Sequence, residues 1–118
     1  MEKTDHSALK IHISSTDKYG SKLLYEHIVH EARSKGIAGV TVYRGIMGYG
    51  MSSRQISTSR YWELTEKLPV LIEMIDETTK LEDFCKFLES MLPDTKKGSL
   101  VTMEPLRIMI QRAGTSLK

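Results

Sequence analysis

Glycines and basic residues suited to phosphate binding occur at two separate points of the chain. Gly48-Tyr49-Gly50 follows a β-prone run, and Lys96-Lys97-Gly98 precedes another one. Glycine lets the backbone approach a ligand closely, and backbone N–H and ammonium groups can both serve phosphate oxygens. These residue types, together with Arg44 and Gly45, are chemically suited to binding a small anionic ligand.

The same residues have a purely structural interpretation. Glycines in or beside a strand often mark a β-bulge, so Gly45, Gly48 and Gly50 can serve only to let the chain leave a sheet. Neighbouring lysines such as Lys96 and Lys97 are commonly part of a solvated turn. Both interpretations remain open from the sequence alone.

A polar segment, residues 51–67, follows the glycines and shows no apolar period. Loops placed by a rigid scaffold often carry binding residues, and exposed aromatic side chains can anchor a partner, cover a cleft or pack in the fold. We predict that this loop contacts a protein partner. Its candidate residues are two arginines and an aromatic pair: Arg54, Arg60, Tyr61 and Trp62.

Side chains suited to catalysis or metal binding are sparse. His27 and His30 share a helical face without a third ligand of the right type, so a solvated helix surface is favoured over a metal site. Cys85 is the single cysteine, which excludes an intrachain disulfide. It lies on the apolar stripe of the second predicted helix, where a cysteine typically acts as a small buried side chain. The sequence therefore predicts neither an enzyme nor a metal site.

Length and composition indicate one soluble domain. The chain has 118 residues, of which 40% are hydrophobic and 27% charged, and its net charge of +2 does not favour nucleic acid as a partner. It lacks the run of roughly 18 to 20 apolar residues that a membrane span requires, and its polar start does not resemble a secretory signal. We predict a cytoplasmic domain over residues 1–118, with an ordered core at about 8–110.

Hydrophobic patterning predicts a β-α-β-β-α-β order. The strands are expected at 8–14, 40–46, 68–75 and 100–103, with a further extended segment at 106–110. The helices are expected at 22–32, ended by Gly36, and from an N-cap at Thr79 to Pro93. This order is that of a ferredoxin-like α+β fold, with two helices on one face of an antiparallel sheet.

We expect the two faces of this sheet to differ. Residues 68–75 are almost continuously apolar, which indicates that both faces of the third strand are covered, although the chain has helices for only one. An oligomer is therefore predicted to cover the other face. The helix-facing residues are expected to be Leu9, Ile11, Ile13, Val40, Val42, Val70, Ile72 and Met74. The opposite face is expected to hold Lys10, His12, Tyr43, Met47, Leu71, Glu73 and Ile75.

Several segments carry a family resemblance. The run Gly36-Ile-Ala-Gly-Val-Thr-Val42, followed by Gly48-Tyr-Gly50, resembles the start of strand two and the base of the T-loop in PII signal-transduction proteins. From Leu9 to about Met109 the chain resembles a family of uncharacterised PII-like proteins of unknown function. The matching segments are Leu24–Val29, Ala38–Gly45, Gly48–Gly50, Leu68–Glu73 and Leu100–Pro105.

The resemblance implies a homotrimer whose sheets face a threefold axis and whose subunit clefts bind a small ligand. In PII proteins that ligand is an adenine nucleotide, held by the T-loop base and a glycine-bearing loop before strand four. The residues at those places here are 48–50 and 96–98. The resemblance also implies signal transduction through a protein partner, with a membrane protein among the candidates. Two departures are an added residue between Thr41 and Gly48 and a shortened loop at 96–99.

Other functions fit the same element order. RNA-recognition domains need stacking aromatics on strands one and three, where Ile11–Ile13 and Leu71–Ile75 provide none. Acylphosphatase-like enzymes need an arginine in the loop after strand one, and Ser15–Gly20 contains none. The alternative that stays open is a constitutive interaction protein or structural trimer without a nucleotide.

Overall fold

The computed structural model describes residues 3–51, 56–58 and 67–115. In chain order its elements are β1 (Lys3–Ser14), β2 (Lys18–Tyr19), β3 (Lys22–Leu23), α1 (Leu24–Ser34), β4 (Val40–Arg44), β5 (Met47–Gly48), β6 (Ser57–Thr58), β7 (Pro69–Glu77), α2 (Thr78–Met91), a 3-10 helix (Leu92–Thr95) and β8 (Leu100–Ile108). A four-stranded sheet has the order β4-β7-β1-β8, and every neighbouring pair is antiparallel. This is the predicted ferredoxin-like α+β fold. None of the described helices is long and apolar enough to cross a membrane.

The core lies between the sheet and the two helices. Leu9, Ile11 and Ile72 are fully buried on the helix-facing side, as the strand alternation predicted. Burial of such a side chain stabilises the fold by about 1.5 to 3 kcal/mol. The other core residues of the sheet and helices are Ile13, Val70, Met74, Leu24, Ile28, Ala32, Leu81, Phe84, Leu88 and Met91. Val42 also lies on the helix-facing side, opposite Ile72, but it is 38% exposed because β4 is an edge strand.

Two strands extend further than the sequence predicted. β1 begins at Lys3 instead of Ala8, because its polar first half still pairs with β8, past an irregularity between Lys3 and His6. β7 extends to Glu77 instead of Ile75, because β1 continues to pair with it up to that residue. Backbone pairing to neighbours, which side-chain alternation does not report, determines both ends.

Helix starts also differ from the sequence predictions. α1 begins at Leu24 instead of Lys22 because Lys22 and Leu23 pair with β2 in a small hairpin around Gly20, whose φ is +63°. α2 begins at Thr78, and Thr79 is not its N-cap: that position is held by Glu77, without a side-chain cap hydrogen bond. The hydroxyl of Thr78 instead shares a 2.7 Å hydrogen bond with Ser7 on β1.

The last strand is continuous where the sequence predicted an interruption. β8 runs from Leu100 to Ile108 through Pro105, which lies opposite Ser7 of β1. Proline is tolerated in a sheet when its strand is at the edge, since the missing N–H can be on the unpaired side. The prediction of a separate extended segment at 106–110 was therefore wrong.

A buried carboxylate joins three elements at the end of the sheet where β7 finishes. Asp76 accepts hydrogen bonds from the backbone N–H groups of Ala38 (2.9 Å) and Glu77 (2.7 Å), and its Oδ2 lies 3.2 Å from the Lys80 ammonium. Burial acts to raise the pKa of Asp76, but these donors outweigh it and lower that pKa overall. Asp76 thus connects the turn after α1 to the start of α2.

Candidate functional site

The chain leaves the sheet at Gly45, where two strands meet. The Gly45 N–H donates a 2.7 Å hydrogen bond to the carbonyl oxygen of Pro69, the first residue of β7. A Cβ at Gly45 would lie 2.7 Å from Cγ of Pro69, and one at Gly48 would lie 3.3 Å from the same atom. Both glycines therefore have a packing role. This exit also explains why β4 ends at Arg44 and not at the predicted Ile46.

The chain returns to the sheet through a second anchor, which the sequence analysis did not identify. The N–H of Ser15 donates to the carbonyl of Leu68 (2.8 Å), and the Leu68 N–H donates to the Ser15 hydroxyl (2.9 Å). Ser15 and Leu68 are both buried. The two residues are 53 positions apart in the chain, so no local sequence pattern indicates this contact. Gly45 and Leu68 thus fix the two sides of the loop base.

Between these anchors the described chain forms a small ribbon. Met47 pairs with Thr58 and Gly48 with Ser57, so the segment expected to be an irregular loop over 51–67 contains part of a strand pair. Ile46, Tyr49 and Met51 are strongly exposed, with Met51 fully so. A Cβ at Gly50 would meet no atom within 4 Å, so Gly50 borders open space. Backbone groups of residues 49–50 are therefore accessible to a ligand.

The second half of the predicted ligand site, Lys96-Lys97-Gly98, forms the turn before β8. Lys96 has a left-handed conformation with φ +56°, and its N–H bonds to the Pro93 carbonyl at 3.3 Å. The Thr95 hydroxyl accepts a 3.1 Å hydrogen bond from the Lys97 N–H. All three predicted residues are exposed. Lys96 thus has a backbone conformation that only glycine adopts without strain. Strained residues of this kind often occur at functional sites.

A groove of about 620 Å³ adjoins this turn, between α2, the 3-10 helix and β8. Its size is within the range of small-molecule sites. One wall is apolar and the rim carries both charges: the lining residues are Cys85, Leu88, Leu92, Pro93, Val101, Ser99, Glu89 and Lys97. Of the predicted site residues, Lys97 is the one that lines this groove. The sequence analysis did not predict the groove, because it depends on how α2 lies against the edge strand.

The two predicted halves are at the same end of the sheet but at opposite edges. Arg44, the last residue of β4, is level with Val70, whereas Leu100, the first residue of β8, is level with His12. β7 and β1 separate the two edge strands. Three inter-strand spacings amount to roughly 14 Å. The structure therefore does not bring residues 44–50 and 96–98 together within one chain.

The sheet face away from the helices carries a row of polar contacts across all four strands. The Tyr43 hydroxyl bonds to Glu73 (3.3 Å), and the Lys10 ammonium lies 3.0 Å from Glu104. The hydrogen bond and charge of Glu104, with a smaller effect of Glu73, raise the pKa of Lys10. Ile75 and Leu100 are exposed on either side of this row. The mixed character expected for this face is confirmed, but the assignment of Met47 to it was wrong, because Met47 lies in the separate β5–β6 pair.

His27 and Cys85, which the sequence analysis also considered, are packed against neighbouring side chains. His27 stacks on Tyr19 with ring centroids 4.6 Å apart and also approaches Phe87, so it is not the solvated residue expected from the sequence. Burial, and then the carboxylates of Glu89 and Glu82, raise the pKa of the half-buried Cys85 thiol. Within residues 3–51, 56–58 and 67–115, no group of three or more potential ligands could hold a metal ion.

The predicted partner residues of the loop fall in residues 52–55 and 59–66. Arg54, Arg60, Tyr61 and Trp62 thus lie outside the described residues. Their assignment to a partner surface stays a prediction.

The fold is that of the PII-like proteins. The chain is similar to CPII, a nitrogen regulatory PII-like protein from Thiomonas intermedia K12 bound to ADP, AMP and bicarbonate, with a TM-score of 0.64 and 11% identity over 95% of this chain and all of that one. A second structure of CPII, bound to ADP and bicarbonate, gives a TM-score of 0.67 at 11% identity, over 92% of this chain and 91% of the other. At this level of identity the likeness defines the fold.

Sequence relatives define the family more narrowly. The model of the family DUF190, described as "Uncharacterized ACR, COG1993", matches residues 6–108. A UPF0166 protein of Aquifex aeolicus (strain VF5) is 30% identical over 101 residues, which is 86% of this chain and 90% of that protein. A UPF0166 protein of Methanocaldococcus jannaschii is 41% identical over 68 residues, or 58% of this chain and 61% of that protein. The chain belongs to the DUF190 family, as the resemblance in its sequence predicted.

Proposed function

We propose that the protein is a homotrimeric, cytoplasmic regulatory module that binds an adenine nucleotide between subunits and is not an enzyme. The observation that supports this proposal best is the position of the two site halves, at one end of the sheet and on opposite edges. In a closed ring of identical subunits that meet through opposite edges of their sheets, the β4 edge of one subunit would lie next to the β8 edge of the next. Residues 44–50 of one chain would then meet residues 96–98 of its neighbour.

The chemistry of the two halves is complementary toward a nucleotide. Gly50 borders open space and lets the backbone approach a phosphate, while Lys96 and Lys97 provide ammonium groups. The apolar wall formed by Leu92 and Pro93 suits the base. ADP and AMP, which are bound in the CPII structure, belong to the same chemical class.

Ligand binding would act on the partner through the loop. The ribbon of Met47–Gly48 and Ser57–Thr58 contains Gly48 and directly precedes Tyr49 and Gly50 in the chain. A phosphate held at residues 48–50 would restrict the ribbon, and loops fixed by a nucleotide are a common form of switch. A protein partner would then contact residues 51–67 differently in the two states.

Isothermal titration with ATP, ADP and AMP tests the proposal. We expect binding by the native protein and a loss of at least tenfold in affinity for Lys96→Glu combined with Lys97→Glu. Lys86→Glu is the matched control, since Lys86 is strongly exposed on α2 and does not line the groove beside the turn before β8. Failure of every adenine nucleotide to bind at millimolar concentration would refute the nucleotide proposal.

A second function, a constitutive interaction trimer, is favoured by one observation. Large apolar side chains at Ile46 (76% exposed), Tyr49 and Met51 surround the ribbon. Exposed apolar groups in one patch are typical of a protein-binding surface. Capture of the same partner with and without nucleotide, abolished by Met51→Lys, would support this alternative over the nucleotide switch.

A further inference from the structure

The small ribbon at the loop base turns one of its faces away from the body of the protein. Met47 pairs with Thr58, and Gly48 pairs with Ser57. A Cβ at Gly48 would lie 3.3 Å from the Pro69 ring, so the ribbon face that carries Gly48 and Ser57 is turned toward the start of β7. Because side chains alternate along a strand, the residues on either side of that pair point outward.

The outward face of the ribbon is mainly apolar. Met47, Tyr49 and Ile56 are 55%, 72% and 57% exposed, and Met51, just beyond them, is fully exposed. An ordinary antiparallel ribbon packs such side chains on the core and leaves its polar face to the solvent. Here the small and polar residues face the protein instead. The exposed apolar patch therefore indicates a surface that another molecule covers.

Positive charge is concentrated in the same part of the chain. Residues 44–67 contain four basic and two acidic side chains, a net charge of +2, which equals the net charge of the whole chain. The remaining residues together carry no net charge. Arg44 and Lys67, at the base of the ribbon, are both exposed. An apolar face beside cationic side chains is a combination that binds anionic lipid surfaces.

The polar groups of the outward face also favour a lipid surface. Among its described side chains, only the hydroxyls of Tyr49 and Thr58 can form hydrogen bonds. A specific protein interface uses about one hydrogen bond per 100 to 200 Å², whereas insertion into a lipid surface needs none. A second copy of the same ribbon is disfavoured, because the two copies carry like charge.

We propose that the ribbon binds the surface of an anionic lipid bilayer through Met47, Tyr49 and Ile56. The methionine and isoleucine side chains enter the apolar layer, and tyrosine is typical of the membrane–water interface. Arg44 and Lys67 attract the lipid phosphates. The contact is peripheral and requires neither a nucleotide nor a trimer. In a trimer the contacts would add, since rotational symmetry places three ribbons at the same height along the axis.

Vesicle sedimentation tests this contact. The full-length protein is mixed with vesicles of phosphatidylcholine alone, or of phosphatidylcholine with phosphatidylglycerol. We expect binding to the anionic vesicles that is about fivefold stronger than to the neutral ones and that weakens at high salt, because the basic side chains are exposed.

Substitutions on the outward face should weaken this binding. We expect Met47→Ser with Ile56→Ser to lower affinity for the anionic vesicles by about fivefold or more, since two apolar side chains are lost. Met109→Ser with Ile110→Ser is the matched control. These two side chains are also apolar and strongly exposed, but they follow β8 at the opposite end of the sheet.

A fluorescent probe gives a local readout. An environment-sensitive fluorophore is attached to Ile56→Cys on a Cys85→Ser background, and to Glu82→Cys on exposed α2 as the control. We expect anionic vesicles to shift the emission to shorter wavelength at position 56 and to leave it unchanged at position 82.

Equal vesicle binding by the native protein and the Met47→Ser with Ile56→Ser variant, or equal losses in both double variants, would overturn the proposal. Absence of vesicle binding would overturn it too, and a probe shift caused by the soluble proteins of a cell extract would then assign the face to a protein partner. Titration of the same variant with ADP separates this test from the nucleotide proposal, because neither Met47 nor Ile56 belongs to the predicted ligand site.

Discussion

The amide of Gly45 donates a 2.7 Å hydrogen bond to the carbonyl of Pro69, and a Cβ at Gly45 would lie at the same distance from Cγ of the Pro69 ring. This contact joins the end of β4 to the start of β7. The glycine that the sequence marked as a ligand residue is therefore required first by packing. Any contribution of Gly45 to binding would come through its backbone.

We expect Gly45→Ala to lower the free energy of unfolding by about 1 to 3 kcal/mol, because the added methyl group overlaps the proline ring. Chemical denaturation at a fixed protein concentration measures the change. Gly50→Ala is the control and should have a far smaller effect, since a Cβ at Gly50 would have no atom within 4 Å. Adding Pro69→Ala should recover part of the loss; equal losses at positions 45 and 50 would contradict the packing role.

We expect Lys96→Gly to lower nucleotide affinity without lowering stability. Glycine adopts φ near +56° without strain, so we expect the free energy of unfolding to stay the same or to rise by up to about 1 kcal/mol. Adenine nucleotide affinity should fall, since the ammonium group is lost. A variant that is destabilised by more than about 1 kcal/mol while binding normally would show that Lys96 has a structural role instead.

Asp76→Asn should make stability less dependent on pH. The folded-state pKa of Asp76 is lowered, so its contribution is complete above the unfolded value of about 3.9 and is lost as the pH falls through the folded value. At pH 7 we expect the variant to be less stable by about 2 kcal/mol, the typical effect of hydrogen bonds to a charged group. Urea denaturation between pH 7 and pH 2.5 should show this difference shrinking; a constant difference would contradict the mechanism.

Ser15→Ala should weaken the attachment of Leu68, where the chain re-enters the sheet. The buried Leu68 N–H would lose its acceptor, at a cost of about 1 to 3 kcal/mol. Hydrogen exchange gives a local readout, in which the Leu68 amide should exchange faster than it does in the native protein. Ser34→Ala is a suitable control, because its hydroxyl bond to Glu31 is at an exposed site. Unchanged protection of the Leu68 amide would rule out Ser15 as its anchor.

Strong side-chain periodicity made the fold predictable. Leu9, Ile11 and Ile72 alternate with more polar or more exposed neighbours, and they form the centre of the core. The element ends were less predictable, since backbone pairing and not side-chain pattern fixes them. Lys22 pairs with Tyr19 instead of starting a helix, and β8 passes through Pro105 because its outer edge is free.

The sequence indicated candidate site residues, whose role in binding stays a prediction, but it did not indicate their geometry. The residue types at 48–50 and 96–98 indicated anion binding, yet their separation across the sheet follows from strand order alone. Ser15 and Pro69 were not identified because the residues that they contact are far along the chain. The groove beside Lys97 depends on helix placement, which no local pattern reports.

Subunit mixing is the most direct test of a site shared between chains. Gly50→Glu should abolish nucleotide binding by repelling phosphate from one half of the cleft, and Lys96→Glu with Lys97→Glu should abolish it from the other half. Lys86→Glu serves as the control that retains binding, since Lys86 is strongly exposed and does not line the groove. Neither inactive variant contains a complete cleft in its own trimer.

The two inactive variants are then unfolded, mixed in equal amounts and refolded, and the ADP binding stoichiometry is measured by calorimetry. Random trimers contain both variants in about three quarters of cases, and each mixed ring has one intact cleft out of three, so about a quarter of all clefts should bind ADP. Recovery near that fraction is the predicted result. No recovery in a mixture that forms trimers would contradict a site built from Gly50 of one subunit and Lys96 of the next.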